Sequence, residues 1–515
     1  MVPILSPKRN DRRPSLPLGT EVSVMKKWTR RALAIALLLT LWFFGRPAAF
    51  LAWVAWNDRV VVVAVPDGHA NDMSALEETR VAEVWPVPAD RLEAIQGLRE
   101  LLARAEREGL PVSIAGARHS MGGHTIAEDG IVVDMTGFQQ LTLDAPSNTL
   151  TAGAGATWRE VLFALDELGK SVAVMQSNDA FTVGGSISVN CHGWQHGQPP
   201  IASSVMAMRV MLADGRLVEC SREVEPELFS LVLGGYGLFG IIVEADLAVV
   251  DNELYGKTAQ VIETSLFAEA FLERIQDPEV GLAIGRLSID PDHLFDETIL
   301  KVLVKKPNGD LPPISPSASK GLRRTVFRGS VGSDYGKSLR WSLERRFGAQ
   351  VSGGEATRNT ELAEPVAFFA NDDPEGTDIL FEAFVPHSKF DAFVQACKGA
   401  VVASPCDLLN VTVRDVREDS DSFLRYADTD MFSFVMLFHQ KLDAEGEEGL
   451  KALTRELIDV ALGLDGCYYL PYRLHATPEQ FRRAYPMADA FWAAKGRFDP
   501  KGRFQNKFYR AYGVR

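Results

Sequence analysis

The chain has 515 residues, 46% hydrophobic and 24% charged, a globular composition with room for about two or three packed domains and a large buried ligand. Its formal charge of −14 argues against a nucleic-acid backbone as partner, because phosphate binding needs a basic surface that releases counterions. Five scattered cysteines (Cys191, Cys220, Cys397, Cys406, Cys467), odd in number and without a CxxC pair, exclude a disulfide scaffold and a zinc ribbon. Cys397 and Cys406 are the pair that an oxidising compartment would join, and two unrelated buried thiols are the simpler reading.

At the N-terminus, Lys26, Lys27, Arg30 and Arg31 precede an apolar stretch, 32–56, broken only by Gly45, Arg46 and Pro47. It is long enough to cross a bilayer. A cleaved signal peptide competes, since 32–44 has the length of an h-region and Pro47-Ala48-Ala49 would fit a cleavage site. The second apolar run, 50–56, would be out of place at a mature soluble terminus and favours an uncleaved anchor. By the positive-inside rule, 1–31 is then a cytoplasmic basic tail and the large domain lies on the non-cytoplasmic side of a single-pass protein. Thr29-Arg30-Arg31 also resembles a twin-arginine signal, which would suit export of a protein already folded around a cofactor.

After a polar connector, Leu92, Ile95, Leu98, Leu102 and Ala105 fall at helical spacing within 88–110. The period then shortens: 111–116, 130–134 and 149–153 read as strands punctuated by glycine, and 156–168 returns to helix. The stretch 182–190 is a Gly/Ser/Val-rich loop, and 206–212 with 217–220 makes a hairpin about Asp214-Gly215. Helices and strands therefore mix in one α+β block from about 75 to 250. A second block, 251–465, has strands at 282–289, 299–304, 380–385, 410–416 and 432–439, with a Pro/Ser/Lys-rich loop at 307–320 that is expected to be mobile and to touch a membrane or cover a pocket. The last segment, 466–515, holds an aromatic patch at 467–472, a helix over 478–495 and a basic tail.

Two glycine-rich loops stand out, GARHSMGGHT at 116–125 and FTVGGSISVNCHG at 181–193. Glycine lets a backbone approach a pyrophosphate closely, and successive N–H groups in such turns form an anion-binding concavity. Either loop alone is most simply a tight turn; two in one block suit a dinucleotide. Gly235, Gly237 and Gly240 also spell GxGxxG, but a helix-like stretch (226–233) precedes them and a strand (241–249) follows, the reverse of a Rossmann unit. His192 and His196 are four apart, yet Gly193 breaks any helix between them and no carboxylate is near in sequence, so no metal is expected.

With PVSIAGARHS, IVVDMTGFQQ, TLTAGAGATWREV, FTVGGSISVNCHG, LADGRLVECS and PELFSLVLGGYGLFGIIVEADL in that order, and FDPKGRFQNKF near the end, the chain resembles the FAD-dependent oxidoreductases of the p-cresol methylhydroxylase (vanillyl-alcohol oxidase) type. The nearest branches are the alditol and gulonolactone oxidases and, through GGSISVNCHG, the decaprenylphosphoryl-ribose oxidases. The resemblance covers 75–250 and 466–510 and is weaker between them. It implies an α+β fold: a two-lobed FAD-binding domain over 75–250, an α+β substrate or cap domain over 251–465, a C-terminal segment returning to the flavin, and the N-terminal transmembrane helix. It also implies FAD held by Gly116, Ala117, Arg118, His119, Ser120, Met121 and Gly122, by Thr182, Gly184, Gly185, Ser186 and Ser188, and by His192, Gly193, Ile242 and Asn506. His119 stands where several relatives bond the flavin covalently; the ribose-oxidase branch lacks that histidine and binds FAD noncovalently, so both modes stay open.

The family moves a hydride from a substrate C–H to flavin N5 while a base takes a hydroxyl proton and cations stabilise negative charge. The resemblance places Arg414, in NVTVRDV, on the strand facing the flavin, with an exposed strand cation as the plain alternative. The lysine that the alditol-oxidase branch carries before its final helix is missing from 470–475, which leaves Arg473 for the charge and His475 or His439 for the base. Tyr468, Tyr469 and Tyr472 either line a substrate pocket or pack as core. The expected activity is oxidation of a CH–OH donor, a polyol, sugar or lipid-linked sugar, at a membrane. The alternatives are an NADPH-dependent carbon–carbon double-bond reductase resembling the Δ24-sterol reductases and a flavin-binding protein without catalysis.

Overall fold

Asp90 sits in extended conformation and accepts hydrogen bonds from Leu92 N and Glu93 N at 2.9 and 3.0 Å, satisfying donors that the first helical turn leaves free. The helix it caps, Arg91–Glu108, buries Ala94, Ile95, Leu98, Leu101, Leu102 and Ala105 and ends at Gly109, whose φ of +70° is the left-handed turn that suits glycine. This computed structural model describes residues 18–61, 63–307, 309–315, 320–350, 354–366 and 369–513. They divide into two units, Met1–Asn57 and Asp58–Arg515.

In the first unit, helical structure runs through Leu18–Thr40, a π-helical turn at Leu41–Gly45 and Arg46–Asn57. Gly45, Arg46 and Pro47 were expected to interrupt the apolar run; the chain passes them by widening one turn, and Pro47 falls where a regular amide bond is already displaced. The segment Trp28–Asn57 is long and apolar enough to cross a membrane, and its side chains are almost wholly exposed. The same length and composition suit a signal sequence. The basic tail expected at 1–31 lies outside the described residues up to 17.

The second unit is a mixture of helices and sheets. A three-stranded parallel sheet orders Glu83–Pro86, Ile131–Asp134 and Val112–Ala115, with the helix Arg91–Glu108 as its crossover. A six-stranded antiparallel sheet is built around Ile241–Asp251, which pairs with Thr149–Gly153, Lys170–Val172 and Val205–Met211. The two are stapled by Arg91, whose guanidinium donates to both oxygens of Glu244 at 2.7 and 3.0 Å. An eight-stranded antiparallel sheet takes Leu254–Glu263, Val280–Leu287, Glu297–Lys305, Asp407–Val416, Met431–Lys441 and Gly376–Pro386 as its long strands. Residues from all these sheets share one continuous hydrophobic core.

Several elements differ from the sequence reading. The strand Leu254–Glu263 carries polar residues along much of its length and was not foreseen; it follows Ile241–Asp251 after a two-residue turn, at the boundary expected near 250. The loop expected at 182–190 contains the helix Val183–Ser188, because Thr182 caps it by accepting from Gly185 N at 3.3 Å. The helix expected over 478–495 is two, Pro478–Ala484 and Ala488–Phe498, since Pro486 has no N–H to donate and Tyr485 leaves helical geometry ahead of it. Within 307–320, positions 308 and 316–319 lie outside the described residues, and Ile314 N donates to Asp166 at 2.9 Å. All five cysteines are free thiols, Cys406 half-buried and the rest buried.

Candidate active site

Gly116 leaves the strand Val112–Ala115 and runs directly against the second loop: a Cβ there would stand 2.0 Å from Thr182 Oγ1. Gly184 is also crowded, its missing Cβ 2.7 Å from that of Ala154. The two glycine-rich segments, 65 positions apart in numbering from Gly116 to Phe181, therefore meet in space. The floor of the second is fixed by the helix Trp158–Asp166, opened by a Thr157–Glu160 capping box, whose buried Trp158 donates its indole N–H to Ser186 Oγ at 2.8 Å. Further on, a Cβ at Gly193 would lie 2.0 Å from Met175 O, so 175–177 packs on 192–193.

The first loop has the left-handed residue Arg118 (φ +54°), whose guanidinium pairs with Asp134 at 2.7 Å. His119 rests edge-on against Phe181 at 4.2 Å between ring centroids, and burial pushes its imidazole down to about 4. His119 Nδ1 and the buried Ser120 Oγ have no hydrogen-bond partner among the described residues. Met121 Sδ lies 3.3 Å from Leu380 N on the eight-stranded sheet, and Gly122 abuts the carbonyl of Tyr472. Ser188 and Ile242 line a small cavity with Val232, Gly235, Phe239 and Gly240. Those GxGxxG glycines follow the helix Pro226–Val232 and precede a strand. Asn506 donates to the carbonyls of His124 and Tyr236, both at 2.9 Å, tying the C-terminal segment to the first loop.

One face of the large sheet presents Glu382, Ser433 and Arg414 on three neighbouring strands. Arg414 donates to Ser177 Oγ at 2.7 Å and to the carbonyl of His192 at 3.4 Å, while its Nε has no partner among the described residues. His192 Nε2 stands 2.5 Å from Glu382 Oε1, both side chains being buried. Ser433 Oγ donates to the same oxygen at 2.5 Å and the Tyr472 hydroxyl to Glu382 Oε2 at 3.3 Å. Burial alone would raise the Glu382 carboxyl, but the imidazole of His192 and then Arg414 outweigh it and hold the group below the usual carboxylate range. Glu382 was missed in the sequence: in FEAFVP it is one acid on a strand, and only sheet pairing brings it to His192.

The other sequence candidates separate. Arg473 pairs with Glu77 and, at 2.6 Å, with Glu447, and donates to Met121 O at 3.0 Å. His475 is buried with its Nε2 2.9 Å from the same Glu447, and burial pushes it down. His439 lies between Asp378 (2.7 Å) and Asp373 (3.2 Å), in a cluster with Arg328. Tyr468 and Tyr469 are core side chains, Tyr469 donating to Val189 O at 2.9 Å, whereas Tyr472 reaches Glu382. His196 turns to Asp415 at 3.3 Å, whereas His192 pairs with Glu382, so the two histidines do not share a carboxylate.

Residues 91–221 match the family model of an FAD binding domain, a stretch that contains both glycine loops, His192 and Gly193. The chain carries an FAD binding domain of the p-cresol methylhydroxylase type. Among curated proteins it is similar to cytokinin dehydrogenase 2 of Arabidopsis thaliana, 33% identical over 27% of this chain and 28% of that one. It is 30% identical to L-galactono-1,4-lactone dehydrogenase 1, mitochondrial, of Oryza sativa subsp. japonica, over 35% of this chain and 30% of the relative. An uncharacterized oxidoreductase, ORF5 of the fasciation locus of Rhodococcoides fascians, is 32% identical over 38% of this chain and 46% of its own. The chain spans less than half the length of these relatives. The residues fit the cofactor: glycines without room for a side chain line both loops, and two polar side-chain atoms beside them, His119 Nδ1 and Ser120 Oγ, have no partner among the described residues. FAD is the cofactor.

Proposed function

We propose that this chain is an FAD-dependent oxidoreductase, anchored in a membrane by 32–56, that takes hydride from a CH–OH donor such as a polyol, a sugar or a lipid-linked sugar. The observation that carries the reading is the buried Glu382–His192 pair beside Arg414, where the second glycine loop meets the large sheet, with Met121 of the first loop against Leu380 N of the same strand as Glu382. Residues 116–122 and 182–193 would hold the cofactor, with Ser188 and Ile242 at the small cavity beyond. FAD supplies the two-electron acceptor for the donor's C–H bond.

The protein's part is proton and charge handling. His192 is the group that would take the donor's hydroxyl proton, on its imidazole, while Glu382, kept ionised at 2.5 Å from its Nε2 and held in one orientation by Ser433 and Tyr472, stabilises the imidazolium. Arg414 has no carboxylate within ion-pair distance among the described residues, so its charge is available to the site, unlike that of Arg473. The rings of Phe384, Tyr426 and Tyr469, all buried, pack around His192 at 5.4, 6.0 and 5.9 Å between centroids. Two of the three named relatives are dehydrogenases of a cytokinin and of a lactone, so amines are the donor class to set against alcohols.

Protein purified in detergent is titrated anaerobically with polyols, sugars and amines while the flavin absorbance is followed. An alcohol should bleach it; reduction by amines alone, or by NADPH alone, sinks the CH–OH reading. Glu382→Gln should keep its flavin yet lose roughly 10²- to 10⁴-fold in kcat.

A further inference from the structure

The backbone of the first loop is gripped from behind by three distant pieces of chain. Arg118 O accepts from Met73 N at 3.0 Å, and Gly123 N donates to Asp72 Oδ2 at 2.8 Å. Met121 N donates to Pro471 O at 2.9 Å, Met121 O accepts from Arg473 at 3.0 Å, and Gly123 O accepts from Lys507 N at 3.3 Å. Glu77 joins the pieces, pairing with Arg473 and, at 2.5 Å, with Lys507. The turn at 71–77 is itself braced: Asp72 Oδ1 accepts from Ser74 N and Oγ at 3.0 and 2.5 Å, Asn71 Oδ1 accepts from Glu77 N at 3.0 Å, and Ser74 O accepts from Thr377 at 2.8 Å. This turn precedes the matched domain, which begins at 91.

The loop needs such support. Arg118 and Gly123 have φ of +54° and +67°, and a non-glycine residue in the left-handed region persists only where its surroundings impose it. The carbonyls of Arg118, Met121 and Gly123 and the amides of Met121 and Gly123 are taken up by protein, whereas His119 Nδ1 and Ser120 Oγ have no partner among the described residues. We propose that the 71–77 turn, with Arg473 and Lys507, is a latch that sets the conformation in which 116–122 binds FAD, with Asp72 and Arg473 as its positioning residues. The inference rests on the assignment of FAD to that loop. Arg473 thereby acts through Met121 O, its charge being spent on Glu77 and Glu447.

Full-length protein made flavin-free in riboflavin-starved cells and held in detergent is titrated with FAD, read by quenching of flavin fluorescence and by visible circular dichroism; apoprotein melting is measured alongside. Asp72→Asn and Arg473→Gln should each weaken FAD binding by on the order of tenfold or more and alter the dichroic band, because each removes a charge-assisted bond to the loop backbone. The milder Lys507→Gln should weaken it less, and Glu448→Gln, in an exposed pair with Lys451, should not weaken it. Wild-type affinity in Asp72→Asn and Arg473→Gln overturns the latch, as does a loss matched by collapse of the apoprotein melt. Failure of the wild type itself to take up FAD overturns instead the cofactor assignment beneath it.

Discussion

His119 and His124 belong to the same loop, and both have ring nitrogens without partners among the described residues. Burial pushes His124 down to about 3, and its ring is packed against Tyr236 and Phe508 while Asn506 holds its carbonyl, a role spent on packing. His119, pushed to about 4, is neutral at physiological pH, and a neutral imidazole with an open nitrogen would be a competent nucleophile toward a flavin bound in this loop. We expect acid-precipitated protein to stay yellow and fluorescent and His119→Ala to release the dye into the supernatant; a colourless wild-type pellet removes the covalent bond. The histidine was legible in GARHS. Its difference from His124 was not, since it depends on which rings surround each.

At the scale of elements, what shapes the site is the approach of one loop to another. Gly116 faces Thr182 so closely that Gly116→Ala must displace the Thr182 cap and, with it, the start of Val183–Ser188. That variant should lose FAD uptake while the apoprotein is destabilised by about 1–3 kcal/mol, the usual cost of overfilling a packed contact. Normal flavin content in Gly116→Ala would mean that the two loops do not meet in the working protein. The glycines could be counted in the sequence, but the contact that demands them could not. The helix Val183–Ser188 also escaped sequence reading, because VGGSIS has poor helical propensity and forms only under the Thr182 cap and the Trp158–Ser186 bond. Pro486 carried a local stop signal that the sequence reading passed over, expecting one helix over 478–495 where the chain forms two.

For the whole molecule, Trp28–Asn57 is one continuous apolar segment across the Gly45–Pro47 junction, with Leu33, Leu37, Leu38, Phe43 and Phe44 exposed. Exposed apolar side chains in such number need a nonaqueous partner. Carbonate washing should leave the protein in the membrane fraction; recovery in the supernatant of a species shortened near Ala49 would show a cleaved signal instead.

The amino-acid order alone suggested a dinucleotide, through two glycine loops in one block, and named FAD through the order of motifs that the chain shares with a known family; it also determined the apolar segment, since length and hydropathy are local properties. The role of each charged group was decided only by tertiary structure. Arg414 and Arg473 are equivalent as letters, yet the first has no carboxylate within ion-pair distance among the described residues while the second is neutralised by Glu77 and Glu447. Glu382 meets His192 across 190 positions because strand register puts it there. A charge's chemistry depends on what lies within a few ångströms, and that distance is set by packing.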